Sequence, residues 1–154
     1  MTVRSVRNNN PGNIDRGSSQ WEGAVPGNDS RFETFATPEH GVRAMTKTLY
    51  TYQDRHRLST VNQMVSRWAP PTENNTAAYV NSVASAMGVD PNQPVDLRSN
   101  PELAERMITS MIRHEGGAEA STYFNDDVVA GGIALANNTA PPSNTGEQTA
   151  ADAE

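Results

Sequence analysis

The sequence predicts a mainly α (α+β) domain of about five helices with one small β-hairpin. Apolar residues recur at three- and four-residue steps in several segments, and proline, Asx and Thr residues sit where those segments open. A stretch near the N-terminus instead carries Trp21, Phe32 and Phe35 around a cluster of turn residues.

Residues 1 to 14 show no periodicity and are expected to be irregular, anchored by Val3, Val6 and Ile14. Gln20 to Val25 and Arg31 to Ala36 are the expected hairpin strands, separated by Pro26-Gly27-Asn28-Asp29-Ser30. Thr37-Pro38-Glu39 then supplies an N-cap, a proline at the first helical position and an acid in the first turn. The stripe Val42, Met45, Leu49, Tyr52 and His56 extends this first long helix to about His56. Ser59 or Thr60 caps a shorter helix with Val61, Met64, Val65 and Trp68 inward, stopped by Pro70-Pro71. Asn74-Asn75-Thr76 opens a third helix, with Tyr79, Val80, Val83, Ala84 and Met87 inward and Gly88 as its left-handed terminus. Asn100-Pro101-Glu102 repeats the cap, proline and acid pattern for a fourth helix, whose stripe of Met107, Ile108, Met111 and Ile112 is expected to end at Gly116-Gly117. Asn125-Asp126-Asp127 caps the last helix, through Val128, Val129, Ile133 and Ala136.

A chain of 154 residues has room for one domain with its own core. Residues 1–136 form that domain. Residues 137–154 are Ala, Asn, Thr, Pro, Ser, Gly, Gln and acid, and a disordered tail is expected there. The net charge of -6 argues against a nucleic-acid backbone as partner. Arg4/Arg7 and Arg55/His56/Arg57 are the only local basic clusters, a pattern usual for solvated faces. The absence of cysteine excludes disulfides and thiolate chemistry. His40, His56 and His114 are too scattered for a zinc motif, so neither a metal nor a cofactor is expected. No apolar run approaches a membrane span or a signal-peptide core, so neither membrane insertion nor a signal peptide is expected.

Two features suggest chemistry. Arg7-Asn8-Asn9-Asn10-Pro11-Gly12-Asn13-Ile14 places four asparagines around Pro-Gly, a tight loop whose amides suit hydroxyl and acetamido groups. The alternative is ordinary capping around a type II turn. Glu115 follows Met111 by four residues and Ile112 by three, so it projects from an apolar stripe at a helix C-terminus. Partial burial and the negative end of the helix dipole both disfavour charge there. A carboxyl held as the acid is what glycosidic bond cleavage needs from its proton donor. The alternative is a frayed last turn with Glu115 in water. Glu39 with His40 is the second candidate pair, its alternative role being a simple dipole partner in the first helical turn. Asp15, Glu22, Asp29 and Glu33 compete for the part of second carboxylate. Trp21, Trp68, Tyr50 and Tyr123 are aromatic rings able to stack on sugars or to pack in the core.

The asparagine run, Trp21-Glu22-Gly23, Phe32 to Phe35, Pro38-Glu39-His40-Gly41-Val42-Arg43-Ala44, Arg67-Trp68-Ala69-Pro70-Pro71 with Glu73-Asn74-Asn75-Thr76, and His114-Glu115-Gly116-Gly117 resemble small phage virion proteins. That group is similar to the lysozyme-like, peptidoglycan-degrading proteins, and the resemblance covers about residues 7 to 136. It implies a lysozyme-like helical domain acting on peptidoglycan glycan strands, as a muramidase or a lytic transglycosylase, with other virion proteins as further partners. Its expected location is the virion, or the host cytoplasm before lysis. The alternative is a noncatalytic virion component or cell-wall-binding module. The order of Asn-Pro-Gly-Asn-Ile, hairpin and helix also looks like the part of bacterial glucosaminidases and lytic transglycosylases that follows their catalytic Glu. Only a few residues precede the run here, so the acid must come from elsewhere. Glu115 is therefore assigned as acid and Glu39 as second group, with Asn9, Asn10, Asn13, Trp21 and His40 binding substrate. The expected arrangement is one groove lined by Asn9, Asn10, Glu39 and Glu115.

Overall fold

The computed structural model describes residues 2–71 and 75–138. Its elements run α1 (Arg4–Arg7), β1 (Ala24–Val25), β2 (Thr34–Phe35), α2 (Pro38–Asp54), α3 (Val61–Trp68), α4 (Thr76–Met87), α5 (Pro101–Tyr123) and α6 (Asp126–Asn138). The fold is mainly α with one antiparallel hairpin, in which Ala24 pairs with Phe35 and Val25 with Thr34.

The strands are shorter than the alternation suggests, for a local reason. The Asp29 carboxylate accepts hydrogen bonds from the backbone amides of Arg31 and Phe32, both at 2.9 Å. That Asx-type turn curls the chain after β1, and pairing resumes only at residue 34 apart from an isolated bridge between Asp15 and Phe32.

Helix α2 lies at the centre. Thr37 caps it through the amide of His40, and Pro38 starts it. It is buried on nearly every side, including Val42, Met45, Leu49 and Tyr50. Its buried threonines satisfy their hydroxyls within the helix, Thr46 on the Val42 carbonyl and Thr48 on the Ala44 carbonyl. Helix α6 crosses α2 closely at Gly132, where a Cβ would strike the Val42 side chain. Helices α4 and α5 complete the main core with Tyr79, Val83, Met87, Met107, Ile108, Met111 and Ile112. Beneath the hairpin, Ile14, Trp21, Phe35 and Ala44 form a second cluster against Trp68.

The helix signals hold where they are local. Thr60 and Gln63 form a reciprocal capping box on α3, and Asn75 caps α4 through the amide of Ala78. Asn74, the other residue of that signature, lies outside the described residues. Gly88 ends α4 at φ 74°, and Asn125 accepts from the amide of Val128 ahead of α6.

Two local expectations change. Residues 1 to 14 are not wholly irregular, because α1 forms a single turn that tertiary contacts hold: the amide of Val3 donates to Glu119, and Ser5 lies against Gly116. The fourth helix does not stop at Gly116-Gly117. It breaks there, with Gly117 at φ 71°, ψ −158°, and helical structure resumes to Tyr123 because Ala120 and Phe124 find places in the core. Helix α6 runs to Asn138, and Tyr50 donates to Asn137 at 2.7 Å. The tail from 139 lies outside the described residues.

Candidate functional site

The asparagine run forms a tight loop in which the four amides have separate tasks. Asn9 and Asn13 occupy the left-handed region, at φ 51° and 50°, which asparagine tolerates better than most residues. Asn8 donates to the Asp29 carboxylate at 3.1 Å. Asn9 donates to the Phe35 carbonyl and accepts from the Tyr123 hydroxyl. Asn10 is fully buried: it donates to the carbonyls of Ile14 and Glu33 and accepts from the amide of Ile14. Both its donors and its acceptor are thus used in fastening the loop to itself and to the hairpin. Close packing holds the loop from two sides. A Cβ at Gly41 would overlap the Asn9 carbonyl, and one at Gly12 would lie 2.5 Å from the Trp68 ring.

Asn13 is the amide that reaches Glu115. Its Nδ2 donates to Glu115 Oε1 at 3.3 Å, across 102 residues of sequence. The Tyr79 hydroxyl donates to the other oxygen, Oε2, at 3.1 Å. Glu115 is half-buried, at the last turn before the Gly117 break. Burial, followed by the Glu115 charge and the hydrogen bond to it, pushes the Tyr79 phenol well above its ordinary range, so it remains a donor. The exposed His114 ring stacks on Tyr79 with centroids 3.7 Å apart. Beside this cluster, Gly12, Asn13, Ile14, Asp15, Thr48, Tyr52 and Trp68 line a cavity of about 160 Å³. Asn13 Oδ1 is buried and has no hydrogen-bond partner among the described residues.

The other candidates make their contacts with other groups. Glu39, half-buried in the first turn of α2, packs against Gly131 and Gly132 of α6 and makes no hydrogen bond to the Glu115 cluster among the described residues. His40 Nδ1 lies 2.7 Å from the Thr37 hydroxyl, and its Nε2 is 3.7 Å from Glu22. Glu22 also approaches the fully buried Arg43 at 3.6 Å, so this group ties the hairpin to α2. Trp21 is 4% exposed and belongs to the second core cluster. Asn9, Asn10 and Glu39 therefore serve the loop and the α2–α6 packing, whereas Asn13 and Glu115 meet. Tyr79 was legible in the sequence only as a core residue. The signal for more was its hydroxyl, since a buried phenol needs a polar partner. Among the described residues no three His, Asp or Glu side chains gather as a metal site. None of the described helices is long and apolar enough to cross a membrane.

These observations define a class: a small, mainly helical domain in which an N-terminal asparagine loop is clamped against a carboxylate from a late helix. No model of a protein family matches the chain. The chain is 41% identical over 125 residues to Protein P5 of Pseudoalteromonas phage PM2, a match covering 79% of this chain and 76% of that protein. It belongs to that phage protein family.

Proposed function

We propose that this protein is a phage virion component that cleaves the glycan strands of peptidoglycan, with Glu115 as the general acid. The observation that carries this reading is the Asn13–Glu115–Tyr79 cluster beside a cavity lined by Trp68 and Asp15. The cavity is smaller than the roughly 300–1,000 Å³ usual for small-molecule sites, so it suits one arm of a sugar, such as an acetamido group, with the ring lying across its mouth. Glu115 protonates the glycosidic oxygen as its bond to the anomeric carbon breaks, water or a hydroxyl of the same glycan supplies the new bond to that carbon, and the carboxylate left behind takes hydrogen bonds from Asn13 and Tyr79. Asp15 is the second carboxylate in this reading, because it lines the same cavity as Asn13; its carboxylate also pairs with Arg31 at 3.0 Å. Membership of a phage protein family fits a protein carried in the particle or released with it at lysis, with other virion proteins as partners.

A noncatalytic wall-binding module is the second reading. It is favoured by one feature: both Glu115 oxygens already accept a donor from the protein. Loss of turbidity of purified cell walls separates the two. The wild-type protein should clear walls, and Glu115→Gln should be slower by roughly 10²–10⁴-fold, the usual share of general acid catalysis. If both proteins bind walls and neither clears them, the catalytic reading fails and the binding module stands.

A further inference from the structure

Arg4 and Arg7 are both exposed. With Asn8, Gly27, Asn28, Asp29, Ser30 and Thr34 they line a cavity of about 540 Å³, within the size range of small-molecule sites.

The two arginines differ in what they already hold. Arg4 is 3.3 Å from the Asp29 carboxylate, and its guanidinium lies 5.1 Å from the centre of the Phe32 ring. Asp29 in turn accepts from the amides of Phe32 and Arg31 and from Asn8, which hold its carboxyl at about 2. Arg4 and Asp29 therefore neutralise each other inside a fixed network. Arg7 is exposed, and its guanidinium has no hydrogen-bond or ion-pair partner among the described residues. The side chains of Asn28 and Ser30 are likewise uncommitted on the same wall. The turn carrying them is fixed, because Gly27 sits where a Cβ would strike the Thr34 side chain and Asp29 clasps the residues that follow.

We infer that this cavity binds an oxyanion group, carboxylate or phosphate, with the Arg7 guanidinium as its cationic fork and the Asn28 amide and Ser30 hydroxyl as neutral donors. A planar guanidinium pairs with two oxygens at once, which a hydroxyl or amide ligand would not repay with charge. In a chain of net charge -6 this cavity is a local exception to the overall field, so the attraction is short-range and depends on Arg7 itself. The inference is independent of whether Glu115 is catalytic.

Amide chemical shifts of the full chain, titrated separately with acetate and with inorganic phosphate at constant ionic strength, test it. Saturable shifts at Arg7, Asn28 and Ser30 are expected with at least one anion. Binding should weaken ~ten-fold or more in Arg7→Gln, be partly kept in Arg7→Lys, and stay unchanged in Arg57→Gln. Saturation by acetate assigns the ligand group to carboxylates, and saturation by phosphate alone assigns it to phosphate esters. Absence of saturation with both anions, or equal weakening in Arg7→Gln and Arg57→Gln, overturns the site.

Discussion

Asn10 shows how a polar side chain can be as structural as a core leucine. Its three hydrogen bonds reach Ile14 and Glu33, and it has no exposed surface. Asn10→Ala would leave the buried Ile14 amide and the part-buried Glu33 carbonyl without this partner, while the Ile14 carbonyl would keep only the Glu33 amide. Each orphaned group costs about 1–3 kcal/mol, so the variant should melt many degrees below the wild type in a calorimetric scan. Asn13→Ala should be milder, because Asn13 makes one long side-chain hydrogen bond and already carries an unpartnered Oδ1, so its cost is mainly the roughly 1 kcal/mol of an alanine at φ 50°. A reversed order of melting temperatures would mean that Asn10 is not the loop's fastener. The same contrast separates the two residues functionally: Asn10 holds the loop, and Asn13 is the amide left to address Glu115.

Among the elements, α5 brings Glu115 to the asparagine loop. Its break at Gly117 ends one run just after Glu115 and redirects the next, so that Glu119 meets the amide of Val3 and Tyr123 meets Asn9. The helix thereby holds the asparagine loop near both ends while presenting Glu115 to Asn13. Gly117 has no neighbour within 4 Å of where a Cβ would sit, so any cost of substitution there comes from the backbone. Its φ 71°, ψ −158° lies in a region that is essentially glycine-only, at about 1–3 kcal/mol for other residues. Gly88, at φ 74°, ψ 32°, has the left-handed helical conformation, which other residues adopt for roughly 1 kcal/mol. Gly117→Ala should therefore shift the urea midpoint further than Gly88→Ala. It should also perturb the Tyr123 ring resonances, which Gly88→Ala should leave in place. Equal midpoint shifts with an unmoved Tyr123 would show that the break is not fixed by Gly117.

At the scale of the molecule, the central helix α2 packs against both the hairpin strand β2 and α6. Tyr50 donating to Asn137 is the final described tie. Removing residues 139–154 should leave the melting temperature within a degree or two, since nothing in their composition can dock on a core. Ending the chain after residue 136 should lower it measurably, through loss of the Tyr50 partner and the last helical carbonyl ties. A fall in both truncations alike would place part of the tail in the folded unit.

What the sequence determined by itself was everything governed by neighbours along the chain. Thr37-Pro38, Thr60 with Gln63, Asn75 and Gly88 fix helix ends through bonds spanning three or four residues, and periodic apolar stripes fix which faces turn inward. Glu115 was legible as an acid on such a stripe for the same reason. What only the tertiary structure decided was how long-range partners divide the polar groups. Four asparagines in one loop look alike in sequence, yet burial commits Asn10 to the loop, Phe35 and Tyr123 claim Asn9, and Asp29 claims Asn8. Asn13 alone is brought to Glu115, and Tyr79 joins them from a helix whose pattern announced only core. The single turn of α1 and the resumption of α5 beyond Gly117 have the same cause, because neither segment is long enough to be helical without a surface to pack against.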